Sequence, residues 1–252
     1  MNAAVTGRCS DGGAQSTKGV APRKPNVVCA PRLLPEGGQI LVFALADDFY
    51  WLSHHDGTGK PRLHARAIEL GCAAALLAEL ISSRHIGVED DRITVLDSRP
   101  PADALMHLIL DQVIAEAARA HSIRTWLAFL GQHAPGQIAM RLLRAGHVHM
   151  EAQRKLGRQV GVLYVPVDVN VAAWPWAMLS QHLRRHEPLE YEPLCLAGLA
   201  LASGLHTYLL DGAPAETFDY LNRSVRTLWT PMRALLFHTH AAIGDAVLAH
   251  RT

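Results

Sequence analysis

Fifteen histidines and four cysteines are the residues of this 252-residue chain best suited to hold a metal or carry a nucleophile, and their spacing argues against both. His182 and His186 stand one helical turn apart, His147 and His149 share a strand face, and His238 and His240 bracket one threonine. A zinc site needs three or four converging ligands, and each of these pairs supplies only half. Cys9, Cys29, Cys72 and Cys195 flank none of the pairs and form no Cys-x-x-Cys, so no metal site is expected. A nucleophile elbow would read GxSxG, whereas Ser203-Gly204 lacks the first glycine. Phosphate loops of the GxxxxGKS or GxGxxG type are missing, and Gly57-Thr58-Gly59-Lys60 reads as a turn. Asp47-Asp48 and Asp90-Asp91 are paired carboxylates, but adjacent acids on a turn point apart and face solvent instead of forming an acid–base dyad. The sequence therefore predicts no catalytic residue, no metal and no cofactor.

A cationic cluster is more informative. Arg154, Lys155 and Arg158 lie beside the apolar run VGVLYVPVDVNV, with Trp174 and Trp176 just beyond. Cations next to apolar and indole side chains suit a membrane interface, where charge attracts lipid phosphate and aromatic rings sit at headgroup depth. In that reading Val162, Leu163, Tyr164 and Val165 enter the membrane and residues 154–171 form the contact. The other reading is an ordinary hairpin whose valines pack on the core and whose basic turn is solvated. A wing against DNA would use the same residues, but the preceding QIAMRLLRAG carries only Arg141 and Arg144. With a formal net charge of +1, no nucleic-acid partner is expected.

The elements that must position these groups are mostly helical. Apolar residues make up 49% of the chain and aromatics 6%, a balance rich in Ala and Leu that favours helices. Residues 1–36 are rich in Gly, Ala, Pro, Ser and Thr, net basic and without periodicity, which predicts a disordered tail. Residues 37–252 form one domain. At its centre, Leu63, Ala67, Leu70, Ala74, Leu77 and Ile81 recur at helical spacing in a stretch with nothing charged between Leu70 and Ala78. That predicts a helix buried all round, over residues 65–83, and far short of the roughly 20 apolar residues a bilayer span needs. Residues 85–88 and 92–96 alternate around Glu89-Asp90-Asp91 and predict a β-hairpin. Helices are predicted over 102–120, 122–130, 137–145, from Trp174-Pro175-Trp176 to about 186, over 194–203, and over 214–229 and 232–250. Strands are expected at 147–150 and 160–167, joined by the basic connector EAQRKLGRQ. The fold class is thus mainly α: a single helical domain around a buried central helix, with short β-hairpins, one of them projecting, hydrophobic and basic. The scattered cysteines suit a reducing compartment, and the polar N-terminus lacks the apolar core of a signal peptide.

The segments LADDFYWLSHHDGTGKPR, ARAIELGCAAALLAELISSRHI and GVEDDRITV, followed later by RLLRAGHVHMEAQRKLGRQVGVLYVPVD, resemble the Golgi phosphoprotein 3 family in its actinobacterial form. The resemblance runs from about Ile40 to the C-terminus. It implies a helical domain with a projecting hydrophobic hairpin, a cytoplasmic and peripherally membrane-associated location, and binding of phosphatidylinositol 4-phosphate and of membrane-protein tails. The family's lipid pocket combines a Trp before the core helix, an Arg within it, and two Arg one turn apart before the helix that leads to the hairpin. Such groups suit a phosphorylated headgroup, because guanidinium forks bind phosphate bidentately. By position the Trp falls on His64, the core-helix Arg on Ala73, and the later pair on Gln132 and Pro135. The groups left to meet anionic lipid there are Arg62, His64, Arg66, His133 and Arg141, with Arg154, Lys155 and Arg158 on the hairpin. The expected partners are anionic membrane lipid, membrane-protein tails and a second copy of the chain through the hairpin. The competing expectation is a soluble, non-enzymatic protein–protein interaction module without lipid binding.

Overall fold

The computed structural model describes residues 44–155 and 158–249. The disordered tail expected at 1–36 lies outside the described residues. Among those described are ten α-helices, one of which forms the centre of the others, and two separate two-stranded antiparallel sheets beside them.

The centre is α2 (Ala65–Ser82), in which every residue from Leu70 to Ala78 is buried. Its middle, GCAAALLA, is built of small side chains, so neighbouring helices approach closely on all sides. The Phe49 ring of α1 (Leu45–Ser53) lies over Gly71, where an added Cβ would stand 2.4 Å from the ring. α4 (Ile123–Gly131) approaches through Gly131, whose added Cβ would meet the Glu69 carbonyl at 3.3 Å. Helices α10 (Thr230–Ala249), α5 (Ala134–Arg144), α7 (Tyr191–Ala202) and α3 (Ala104–Ala115) pack on the remaining sides. Leu76, Leu77 and Leu80 are fully covered, each adding roughly 1.5–3 kcal/mol of burial.

The first hairpin pairs β1 (Ile86–Glu89) with β2 (Arg92–Val95), Glu89 opposite Arg92. Its turn needs no glycine. Asp90 and Asp91 take φ of 46° and 61°, the left-handed pair of a two-residue hairpin loop, which Asp tolerates better than most residues.

Local chemistry sets the helix ends. Asp103 accepts from the Met106 amide to start α3, and Ser122 accepts from the Thr125 amide to start α4. We expect Ser122→Ala to cost about 1 kcal/mol in a denaturant titration, the ordinary loss of an N-cap. The helix expected over 102–120 stops at Ala115 and tightens into a 3-10 turn at Ala117–Arg119. Its follow-on residues are drawn to β2, where Arg92 donates to the Ala120 carbonyl and the Ile93 amide to that of His121. The break expected over 131–136 shrinks to Gln132 and His133, because Pro135 falls in the first turn of α5, where it removes no helical hydrogen bond.

The second hairpin differs most from expectation. The basic connector is itself strand: β3 (Val148–Lys155) pairs with β4 (Arg158–Pro166), with a register shift at Gln153/Arg154. The contact segment expected to extend to Val171 ends earlier, because Val169 already begins α6 (Val169–Arg184), capped by Asp168 on the Asn170 amide. Pro175 therefore sits inside α6 instead of opening it, buried against its neighbours. Two further helices, α8 (His206–Leu209) and α9 (Ala215–Val225), complete the domain, and Thr230-Pro231 start α10.

Candidate functional site

Arg141 is the most heavily engaged of the residues the sequence singled out. Its guanidinium lies 2.8 Å from Asp47, 3.4 Å from Glu79 and 3.3 Å from Asp103. α5 carries it inward, α1 supplies Asp47, α2 supplies Glu79, and Asp103 is the N-cap of α3. Glu79 also accepts from the Ala46 amide at 2.7 Å, which ties the start of α1 to the core helix. One cation cannot balance three acids. Burial pushes Glu79 up to about 7 and Asp47 up to about 6, with Arg141 pulling both back only in part. Burial also works against the Arg141 charge, but Glu79 and Asp47 outweigh it and hold the guanidinium firmly protonated. The expectation that Asp47 and Asp48 sit on a solvent-facing turn is thus corrected: both are helical and Asp47 is buried.

Arg141 also lines a cleft of about 800 Å³ at the root of the second hairpin, together with His133, Gln137, Met140, Arg144 and Tyr164. Three of the expected residues meet here: His133, Arg141 and Tyr164. The Tyr164 hydroxyl points to the Met140 sulfur at 3.8 Å.

The cations before the core helix are placed elsewhere and used locally. Arg62 donates from Nε to the His54 carbonyl, pairs with Asp56 at 3.5 Å and stacks over the Trp176 ring at 4.5 Å. His64 is the N-cap of α2, its Nδ1 accepting from the Arg66 amide. Arg66 pairs with Glu69 at 2.9 Å. None of the three lines the hairpin-root cleft.

On the hairpin, cross-strand pairing puts Met150 and Ala152 on one face with Tyr164 and Val162. Gln153 pairs with Gly161 and Arg154 with Gln159, which leaves Val160 as the extra residue of a bulge. Met150 is 58% exposed and Val160 56%, with Val162 also exposed, whereas Leu163 and Tyr164 are half-buried and Val165 is buried. Of the four hairpin residues expected to enter a membrane, only Val162 is exposed. Register places Arg154 and Lys155 at the far end opposite Gln159 and Arg158, and Arg158 is exposed. The apolar exposure continues through Val167, Val169 and Trp174. Sequence reading missed Met150 and Val160 because strand face is set by register, and the bulge shifts it. It missed Asp47, Glu79 and Asp103 as well. For Asp47 and Glu79 the only signal was an acid inside an otherwise apolar helix, which charged residues seldom occupy unpaired, whereas Asp103 reads only as an N-cap.

A family model described as Golgi phosphoprotein 3 (GPP34) matches residues 45–230. The chain belongs to the Golgi phosphoprotein 3 family. A search of curated proteins returns no match. The family match spans the central helix, both hairpins and the acid–arginine cluster, and ends as α10 begins. No helix among the described residues is long and apolar enough to cross a membrane. Those residues also hold no cluster of three or more His, Cys, Asp or Glu arranged for a metal.

Proposed function

We propose that this member of the family is a non-catalytic peripheral membrane protein that meets anionic lipid through the β3–β4 hairpin. The observation that carries the reading is the exposure of Met150, Val160 and Val162 on one hairpin whose far end, by backbone register, holds Arg154 and Lys155 opposite Gln159 and Arg158. Large apolar side chains exposed in one patch mark a surface that something else covers. Three basic residues near an anionic surface supply roughly 3 kcal/mol, too little for stable attachment alone, and insertion of the apolar face adds the rest. The open strand edges would equally accept an extended membrane-protein tail.

The proposed contact is selective for charge and not for one headgroup. Arg62, Arg66 and Arg141 are already paired with Asp56, Glu69 and the buried acids, and His64 is spent on a helix cap. In sedimentation with vesicles of graded phosphatidylserine content at low salt, the wild type should pellet increasingly with charge. Vesicles containing phosphatidylinositol 4-phosphate at equal charge should do no better. Arg154→Glu/Arg158→Glu and Val160→Asp/Val162→Asp should each weaken binding at least about tenfold, since each sets two new negative charges against a surface where one charge is worth roughly 1 kcal/mol. A wild type that stays in the supernatant at every charge would end the membrane reading and leave the soluble interaction module.

A further inference from the structure

A second cleft, of about 540 Å³, opens between α7, α9 and α10, away from the hairpin residues. Its floor is apolar: Gly198 lets Leu236 pack close, an added Cβ standing 2.5 Å from the leucine methyl, and Leu201 and Val225 extend the surface. Phe237 borders it and is 70% exposed. On α10, Arg233, Phe237 and His240 recur at three- and four-residue spacing and line the cleft together with Arg226, the C-cap of α9. His206 completes the lining, which contains four basic or imidazole side chains and no carboxylate.

The lack of a carboxylate separates it from the hairpin-root cleft and from the cleft beside Trp126 and Phe129. At the hairpin root Arg141 is matched by Asp103, and in the cleft beside Trp126 and Phe129 the Glu116 carboxylate holds both Arg119 and His121. Here Arg233 donates only to the Thr230 hydroxyl, and among the described residues neither Arg226 nor Arg233 pairs with an acid. The volume lies in the ordinary range for a small-molecule site, roughly 300–1,000 Å³.

We propose that this cleft binds a single-chain anionic amphiphile, its carboxylate or phosphate taken by Arg226 and Arg233 and its hydrocarbon laid on Leu201, Val225, Leu236 and Phe237. Guanidinium forks meet either head bidentately, and the apolar floor selects a tailed anion over a free one. Calorimetric titration of the full chain with laurate, dodecyl phosphate, dodecanol and inorganic phosphate, all below micellar concentrations, tests it. Laurate and dodecyl phosphate should each saturate one site, and the tighter of the two identifies a fatty acid or a monoacyl phosphate as the natural class. Dodecanol and inorganic phosphate should bind at least about tenfold more weakly, the loss expected when one charge-assisted pair or the apolar contact is removed. R226Q/R233Q, at exposed positions where folding is not at stake, should weaken both anions about tenfold and leave dodecanol unchanged, whereas R154E/R158E on the hairpin should leave all four alone. Dodecanol binding as tightly as laurate, or R226Q/R233Q retaining wild-type affinity, would overturn the proposal.

Discussion

Replacing Arg141 by Met is expected to destabilise the fold by about 3–5 kcal/mol at pH 8, the cost of leaving buried carboxylates without their counter-charge. Asp47 and Glu79 are nearly enclosed, with side-chain exposures of 10% and 12%, and the Arg141 guanidinium is the cation that reaches both. The pH dependence gives the loss a signature. Asp47 moves from 3.8 to about 6 and Glu79 from 4.5 to about 7 on folding, so the native state takes up protons that the unfolded chain releases. Where the native state binds more protons, stability falls as pH rises, here from about pH 4 through pH 7. Wild type should therefore be more stable at pH 5 than at pH 8, by an amount on the order of 4 kcal/mol from these groups. The Arg141→Met penalty should shrink at pH 5, where both acids are protonated in the folded state. Glu79→Gln keeps an acceptor for the Ala46 amide and removes a charge, so it should lie within about 1 kcal/mol of wild type at pH 8. Urea titrations at the two pH values decide the matter. An Arg141→Met loss of about 0.5 kcal/mol or less, as at an ordinary surface site, would contradict the account.

Gly59→Ala should cost roughly 2–4 kcal/mol, while Gly57→Ala two residues earlier should stay within about 0.5 kcal/mol. Gly59 has φ +64° and is buried, and a Cβ there would stand 2.2 Å from the Tyr164 carbonyl oxygen and 2.9 Å from its carbon. Both neighbours are backbone atoms of β4, so relief requires moving the strand. A left-handed alanine adds about 1–2 kcal/mol and the overlap about 1–3 kcal/mol. Gly57 would meet only the His55 ring, at 3.8 Å. Thermal melts of the pair give the difference directly, and amide shifts of β3 and β4 should move in the Gly59 variant. The turn after α1 thereby seats the root of the hairpin, which connects a stability effect to the direction of the proposed membrane contact. If both alanines behave alike, the close approach of the turn to β4 is wrong.

How much of this was legible in advance varied with the range of the interaction. The central helix could be read from residues 65–82 alone, because local periodicity and an uncharged run are properties of neighbouring residues. The Ser122 cap and the first hairpin were equally local. Pro175 was misread as a helix start because Asp168, seven residues earlier, caps the helix and packing then covers the proline. Gly59 was seen as a turn residue, but nothing near it in sequence announces that Tyr164 arrives above it.

The candidate site shows the same division more sharply. Sequence by itself determined the family, the buried helix and the presence of a basic, apolar hairpin, since each is written in contiguous residues. Tertiary structure decided what the cations are for. Arg141 read as a free ligand until Asp47 and Glu79, 94 and 62 residues away, were folded against it. Which hairpin residues face outward was decided by strand register and one bulge, since a one-residue slip turns every side chain to the opposite face. Charge neutralisation and strand register both join residues distant in the chain, and no local pattern encodes that pairing.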